Sequence, residues 1–67
     1  MASILRIERV LRDLPQREVA AQTGIPQPRY SRIERNVTQP TPQEAEALSM
    51  FLGVKPADLW PGGEAQP

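Results

Sequence analysis

The chain lacks the residue types that small proteins most often use for cross-links, metal sites and catalysis. Its 67 residues include no cysteine and no histidine. Their absence excludes a disulfide framework and the usual zinc sites. No glycine-rich phosphate loop or framed pair of carboxylates is visible, so an enzyme is the least favoured functional class. We expect no catalytic residue, no metal and no cofactor.

Long apolar runs are also missing. Arg6, Glu8 and Arg9 interrupt the N-terminal MASILRIERV, so it does not read as a signal peptide, and no apolar run approaches membrane-spanning length. We therefore expect a soluble cytoplasmic protein without a membrane partner. The length predicts one small domain that buries about 60 % of its unfolded surface.

Net charge is likewise absent, because 8 Lys and Arg balance 8 Asp and Glu. A neutral chain argues weakly against a nucleic-acid binder. The charges are unevenly spread, however: the first 35 residues hold seven arginines and four acids, whereas residues 36–67 hold one lysine and four acids. One half is basic and the other acidic, as expected if only one face meets phosphate.

The sequence does contain residues that begin and end helices. A first helix over about residues 4–13 is predicted by an apolar stripe and can be capped by Ser3. The stripe consists of Ile4, Ile7, Leu11 and Leu14. Pro15 suits the first turn of a second helix, which runs to about residue 22 before Gly24. Proline is excluded from a helix interior, so the third helix runs from about 27 to 35, with Asn36 as a left-handed stop.

The second half predicts two more helices. TPQE at residues 41–44 combines a threonine cap, proline in the first turn and glutamate three residues after the cap, which is a capping box. Gly53 ends this helix, and its core stripe is Ala45, Leu48, Phe51 and Leu52. KPADLW allows one short last turn, whereas PGGEAQP at 61–67 predicts a disordered tail. The expected class is all-α.

The spacing of Ala20, Gly24, Tyr30 and Ile33 carries the functional information. A small residue at Ala20 lets two short helices approach closely, and glycine at 24 adopts the positive φ that a sharp reversal needs. Tyr30 and Ile33 then mark the buried side of the second helix of the pair, and we expect the Tyr30 ring in the core with its hydroxyl reaching the surface. This arrangement is typical of a helix-turn-helix, which presents its second helix to DNA.

Over about residues 4–60 the chain resembles the lambdoid phage repressor and Cro type of helix-turn-helix, also called the xenobiotic-response-element type. The matching residues are Leu14, Gln16, Val19, Ala20, Gly24, Ile25, Gln27, Ser31, Ile33, Glu34 and Pro40, with LSMFLGV at 48–54. The resemblance implies a compact five-helix repressor-like domain over residues 1–60. It also implies a buried ion pair between Arg9 and Glu34 that joins the first and third helices.

Helical geometry at 100° per residue turns Pro28, Ser31, Arg32 and Arg35 away from the buried side of the third helix and leaves Gln27, Arg29 and Glu34 on its flanks. Arginine pairs with guanine and glutamine with adenine, so Arg32 is the first predicted base reader and Gln27 the second. The resemblance supports both positions and that of Pro28, which can offer a base only apolar contact. Ser31 and Arg29 complete the predicted base contacts.

Phosphate contacts are expected from the start of the second helix, the end of the third helix and the following loop. The expected residues are Gln16, Arg17, Arg35, Thr38 and Gln39. One domain this small buries too little surface for tight selective binding, so a homodimer is expected. The resemblance puts the dimer contact near the last helix, at Val54, Leu59 and Trp60, although these residues could instead close the core.

These features predict a sequence-specific double-stranded DNA-binding regulator, a repressor that occupies a pseudo-palindromic operator as a homodimer. The alternative is a protein-interaction module, such as an antitoxin or antirepressor, that uses the same fold to hold a protein partner. Zero net charge and the acidic second half fit this alternative. Selection of bound duplexes from a random library discriminates the two.

Overall fold

The computed structural model describes residues 3–62. These residues form five helices: α1 (Ile4–Leu11), α2 (Gln16–Thr23), α3 (Gln27–Glu34), α4 (Pro42–Leu52) and α5 (Pro56–Leu59). No strand occurs among the residues that the structure describes, which confirms the all-α class. The predicted tail at 61–67 lies outside the described residues from position 63 onward.

Local capping sets most of the helix ends. Ser3 accepts a hydrogen bond from the Arg6 N–H, and Thr41 and Glu44 form both bonds of the predicted capping box. Gly24 and Gly53 end α2 and α4 with φ values of 75° and 71°. The sequence placed these ends within two residues, although Pro15 proves to be the extended residue before α2 rather than its first helical residue.

One hydrophobic core joins all five helices. α2 packs against both α3 and α4, while α5 packs against α4 and α1. The buried apolar residues are Leu5, Val19, Ala20, Ile25, Tyr30, Ile33, Ala45, Leu48, Leu52, Leu59 and Trp60. The core therefore draws on both halves of the sequence, and α4 from the second half packs directly against α2 of the helix-turn-helix.

One member of the predicted α4 core stripe is wrong, because Phe51 is exposed. The apolar stripe that predicted α1 lies mostly outside the core. Its members Ile4, Ile7 and Leu11 are exposed, Leu14 packs against the core, and Leu5 is the buried residue of the helix. In α1 the reason is that charged side chains on the other side of the helix have partners on the body of the domain.

Candidate nucleic-acid interface

The turn between α2 and α3 has the geometry that the spacing predicts. Ala20 is buried, and its carbonyl oxygen accepts hydrogen bonds from the N–H groups of Gly24 and Ile25. Gly24 adopts the left-handed conformation, and a Cβ added there would meet no heavy atom within 4 Å. Glycine is therefore favoured at this position by its backbone angle, not by lack of space.

A polar network fixes the orientation of α3 against the rest of the domain. Arg9 donates to the Glu34 carboxylate through Nε at 2.8 Å and through Nη2 at 2.9 Å, and its Nη1 donates to the Leu14 carbonyl at 2.7 Å. Gln16 adds a third bond to Glu34 at 3.1 Å. The ion pair between Arg9 and Glu34 was predicted and is present. It ties together α1, the start of α2 and the end of α3.

The network is well enclosed: the side chains of Glu34 and Arg9 are 2 % and 12 % exposed. Burial alone would raise the pKa of Glu34, but the hydrogen bonds from Arg9 and Gln16 outweigh it, and the pKa lies below the ordinary 4.5. The same bond to Glu34 raises the pKa of Arg9. Both groups are charged at neutral pH, so the pair acts as a permanent brace for α3.

Tyr30 packs beside this network at the centre of the core. The prediction that Tyr30 is a core residue is confirmed, whereas the expectation that its hydroxyl reaches the surface is wrong. The hydroxyl is buried, and no group among residues 3–62 hydrogen-bonds to it with good geometry. Burial and the nearby Glu34 carboxylate raise the pKa of the phenol, so it stays neutral.

The outer face of α3 carries most of the predicted base contacts. Gln27, Pro28 and Arg32 are exposed, as is Arg35 just after the helix, and Ser31 is half-buried. Arg32 forms no side-chain hydrogen bond or ion pair with any of residues 3–62, and Arg35 contacts only the Ser31 carbonyl, at 3.4 Å. This face therefore presents two cationic side chains beside one glutamine.

Arg29 is held differently from Arg32. Its Nε and Nη2 donate to the Glu44 carboxylate at 2.6 and 2.7 Å, so the side chain turns toward α4. These bonds, together with that from the Thr41 N–H, keep the pKa of Glu44 below 4.5. The TPQE pattern predicts only the capping-box role of Glu44, so its pairing with Arg29 is an additional finding. Since Glu44 faces Arg29 across fifteen positions of sequence, no local pattern reveals the pair.

The predicted phosphate contacts lie in two places. Gln16 and Arg17 begin α2, where their backbone N–H groups donate to no acceptor within the described residues, and the Arg17 side chain is exposed. The Gln16 amide is already used by Glu34. Thr38 and Gln39 follow α3 and line a groove of about 360 Å³ with the residues that begin α1 and follow α5.

The residues expected at a dimer contact are mostly inside one copy of the chain. Leu59 and Trp60 are buried, and Val54 is half-buried and packs against the same core. These residues therefore have the alternative role that the sequence allowed, which is to close the core of one copy. The exposed large apolar residues of the described chain are Ile4, Ile7, Val10 and Leu11 on α1, Val37 in the loop after α3, and Met50 and Phe51 on α4.

Two other features are missing from the described part of the chain. No helix within residues 3–62 has the length and apolarity of a membrane span. The same residues contain no group of three or more acidic side chains that could hold a metal ion. The exposed cationic face of α3, braced from behind by Glu34, is the candidate nucleic-acid interface.

A family model described as helix-turn-helix matches residues 5–59, which is most of the 67-residue chain and covers all five helices apart from the first residue of α1. Comparison with curated proteins and comparison with solved structures each found no significant match. The matched family is that of the Cro and C1 type, whose members are DNA-binding regulators and not typically enzymes. The chain belongs to this helix-turn-helix family and is a DNA-binding regulator.

Proposed function

We propose that this protein is a sequence-specific transcriptional repressor that inserts α3 into the major groove of an operator. The observation that carries the proposal is the pair Arg32 and Arg35, exposed on the outer side of a helix whose inner side is braced by Glu34. A braced helix loses little freedom when it docks, so its arginines meet the groove already oriented.

The base readers follow from the chemistry of this face. Arg32 donates two hydrogen bonds to guanine O6 and N7, and Gln27 pairs with adenine. Pro28 offers only apolar contact, which suits a thymine methyl group, and Ser31 is tolerant of either purine. Arg29 lies on the flank and reaches a base only by leaving Glu44, so its contribution is secondary.

The phosphate contacts set the register of the domain on the duplex. The N–H groups of Gln16 and Arg17 at the start of α2 suit a phosphate oxygen, because that end of a helix has unpaired donors and a positive dipole. The Arg35 side chain follows α3, and Thr38 and Gln39 in the next loop complete the set. These groups give affinity without reading sequence.

A homodimer on a pseudo-palindromic operator completes the proposal. A single domain of this size covers roughly 600–1,000 Å² on DNA, which is too little for selective binding at physiological salt. Two copies related by a two-fold axis place their α3 helices about 34 Å apart, one turn of the duplex. Selection of bound duplexes from a random library should return a two-fold symmetric consensus.

Arg32→Ala is the sharpest test of base reading. We expect it to weaken binding to the selected duplex by about 1–3 kcal/mol and to relax specificity at one base pair of each half-site. Lys55→Ala is the control, since it removes one positive charge from the acidic half of the chain. Fluorescence anisotropy on the selected duplex and on each single-base variant gives the comparison. Equal losses for the two variants would remove Arg32 from the readers.

Arg35→Ala tests phosphate contact. We expect binding to weaken by similar factors on all duplexes, and the slope of log K against log salt concentration to become shallower by about 1. Titrations at several salt concentrations measure that slope. An unchanged slope would show that Arg35 does not meet phosphate in the complex.

The second candidate function is a protein-interaction module, such as an antitoxin or antirepressor. The observation that favours it is the charge distribution, since the chain has a formal net charge of +0 and residues 36–67 hold four acids against one lysine. Random-library selection separates the candidates, because an interaction module without DNA specificity enriches no sequence, and a pull-down without nucleic acid would then be the informative assay.

A further inference from the structure

α1 carries its apolar side outward. Ile4, Ile7, Val10 and Leu11 are 36, 46, 54 and 74 % exposed, whereas Leu5 on the other side of the helix is 1 % exposed. At 100° per residue, Ile4 and Val10 each lie about 60° from Ile7 around the helix axis, and Leu11 lies about 40° from it. The four side chains therefore form one continuous stripe centred on Ile7, which we call the α1 face.

The charged side of α1 explains why this stripe points away from the core. Arg9 is bonded to Glu34, and Arg12 donates to the Leu52 carbonyl at 2.9 Å and to the Glu8 carboxylate at 2.8 Å. Rolling α1 over to bury the α1 face would break these bonds and leave Glu34 buried without its partner, which is strongly unfavourable. The α1 face is thus held at the surface.

An apolar helix face that cannot turn inward is stabilised by a partner. The four side chains form a patch on the order of 300 Å², the size at which the largest patch of a monomer is often functional. No charged residue lies within the stripe, and the chain has a formal net charge of +0, so two copies do not repel each other. The patch is therefore compatible with its own copy across a two-fold axis.

We propose that the α1 face is the surface through which two copies of this chain pair. The proposal deepens the proposed function, because it supplies the two-fold contact that a symmetric operator needs. It also replaces the contact expected near the last helix, since Leu59 and Trp60 lie in the core of one copy. The residues on the outer side of α3 do not belong to the α1 face and stay available for DNA.

The area of the α1 face sets the strength of the contact. Two such patches bury on the order of 600 Å² together, about half of the smallest area that specific stable interfaces bury. The free dimer is therefore weak. Two half-sites on one duplex raise the effective concentration of the second copy, so pairing is nearly complete when the operator is occupied.

Sedimentation equilibrium tests the pairing without DNA. We expect the wild type to show reversible dimerisation at concentrations up to about 1 mM, a dissociation constant that corresponds to roughly 4 kcal/mol of association free energy. Ile7→Glu puts two carboxylates opposite each other at the centre of the contact and should lower the association constant at least tenfold. Leu11→Glu should also lower the association constant. Because Leu11 is the most exposed residue of the face, this variant keeps the test valid if Ile7→Glu disturbs the fold.

The control is Met50→Glu, which changes the charge in the same way at an exposed apolar residue of α4. It should dimerise like the wild type, with circular dichroism verifying the fold of every variant. A wild type that remains monomeric at the highest concentration would overturn the proposal. So would dimerisation that Ile7→Glu and Leu11→Glu leave unchanged, or that Met50→Glu weakens equally.

Binding to duplexes with one or two half-sites separates this proposal from the proposed function. Ile7→Glu should bind one half-site as Met50→Glu does and lose at least tenfold of the cooperative gain on two half-sites. Equal cooperativity in both variants would overturn pairing through the α1 face while leaving DNA reading intact. Failure of every variant to bind any duplex would instead contradict the proposed function, and the sedimentation result would still decide on the α1 face.

Discussion

At the scale of single residues, Glu34 is the one buried charged residue in the described part of the chain. It accepts bonds from Arg9 and Gln16 and is almost fully buried at the end of α3. Its position is close to the arginines that are expected to meet DNA, yet its role is to hold the helix. A buried carboxylate of this kind contributes little net energy beyond an apolar pair, but its loss leaves Arg9 uncompensated.

Glu34→Gln should therefore lower the free energy of unfolding by about 3 kcal/mol, because one partner of a buried ion pair remains charged. A domain of this size has only about 3–5 kcal/mol in total, so the variant should be partly unfolded without denaturant. Urea denaturation followed by circular dichroism measures the change.

The control for that prediction removes both charges. Arg9→Met combined with Glu34→Leu fills the site with apolar side chains of similar volume and should recover most of the loss. A cost for Glu34→Gln below about 1 kcal/mol, the value typical of exposed pairs, would mean that the pair is a surface ion pair in solution.

At the scale of elements, the turn after α2 makes a prediction about backbone conformation. Gly24 has φ at 75°, and a Cβ there meets no neighbour within 4 Å. Gly24→Ala should cost about 1 kcal/mol of stability through the left-handed backbone alone. Gly24→Asn should cost less, since asparagine tolerates this conformation. Urea midpoints of the two variants give the two losses of stability. If Gly24→Asn costs as much as Gly24→Ala, the cause is a steric clash and not the left-handed backbone.

α1 shows how far the sequence predicts an element. Its helical state and its cap at Ser3 follow from local residues, and both are present. Its orientation does not follow from the apolar stripe, because periodicity defines a stripe but not what the stripe faces. The predicted ion pair between Arg9 and Glu34 determines the orientation of α1. Arg9 lies about 160° from Ile7 around the helix, so the two side chains cannot both face the core.

The candidate DNA-binding face was predictable for a related reason. Tyr30 and Ile33 are large, buried and close in sequence, so they fix the inner side of α3, and the exposure of Arg32 and Arg35 follows. Arg29 was not predictable in the same way. Its partner Glu44 belongs to another helix, and the pairing depends on how α3 and α4 pack.

At the scale of the whole molecule, two braced carboxylates couple stability to pH. The pKa values of Glu34 and Glu44 lie below 4.5 in the folded chain because of bonds from arginine. Between the folded and unfolded pKa values the unfolded chain binds more protons, so stability rises with pH in that window. The contribution is complete above about pH 5 and is lost as the pH falls through the folded values.

Urea midpoints measured from neutral pH down to about pH 3 should therefore be constant at first and then decline below about pH 5. Glu44→Gln, which leaves the buried pair of Arg9 and Glu34 intact, should start slightly lower and decline less over the acid range. Glutamine suits both the helix and the capping box, which makes the change conservative. A Glu44→Gln variant that declines as steeply as the wild type would show that the Glu44 carboxylate does not contribute to acid unfolding.

The burial of Trp60 gives the molecule an intrinsic optical reporter. It is the only tryptophan in the sequence, and it closes a core to which every helix contributes. Its emission therefore reports exposure of that core, while the outer face of α3 carries no aromatic residue. Unfolding of the native chain can therefore be followed by tryptophan fluorescence without a label. Because a dye-labelled duplex can be present in the same sample, a single titration separates loss of DNA binding from loss of the fold.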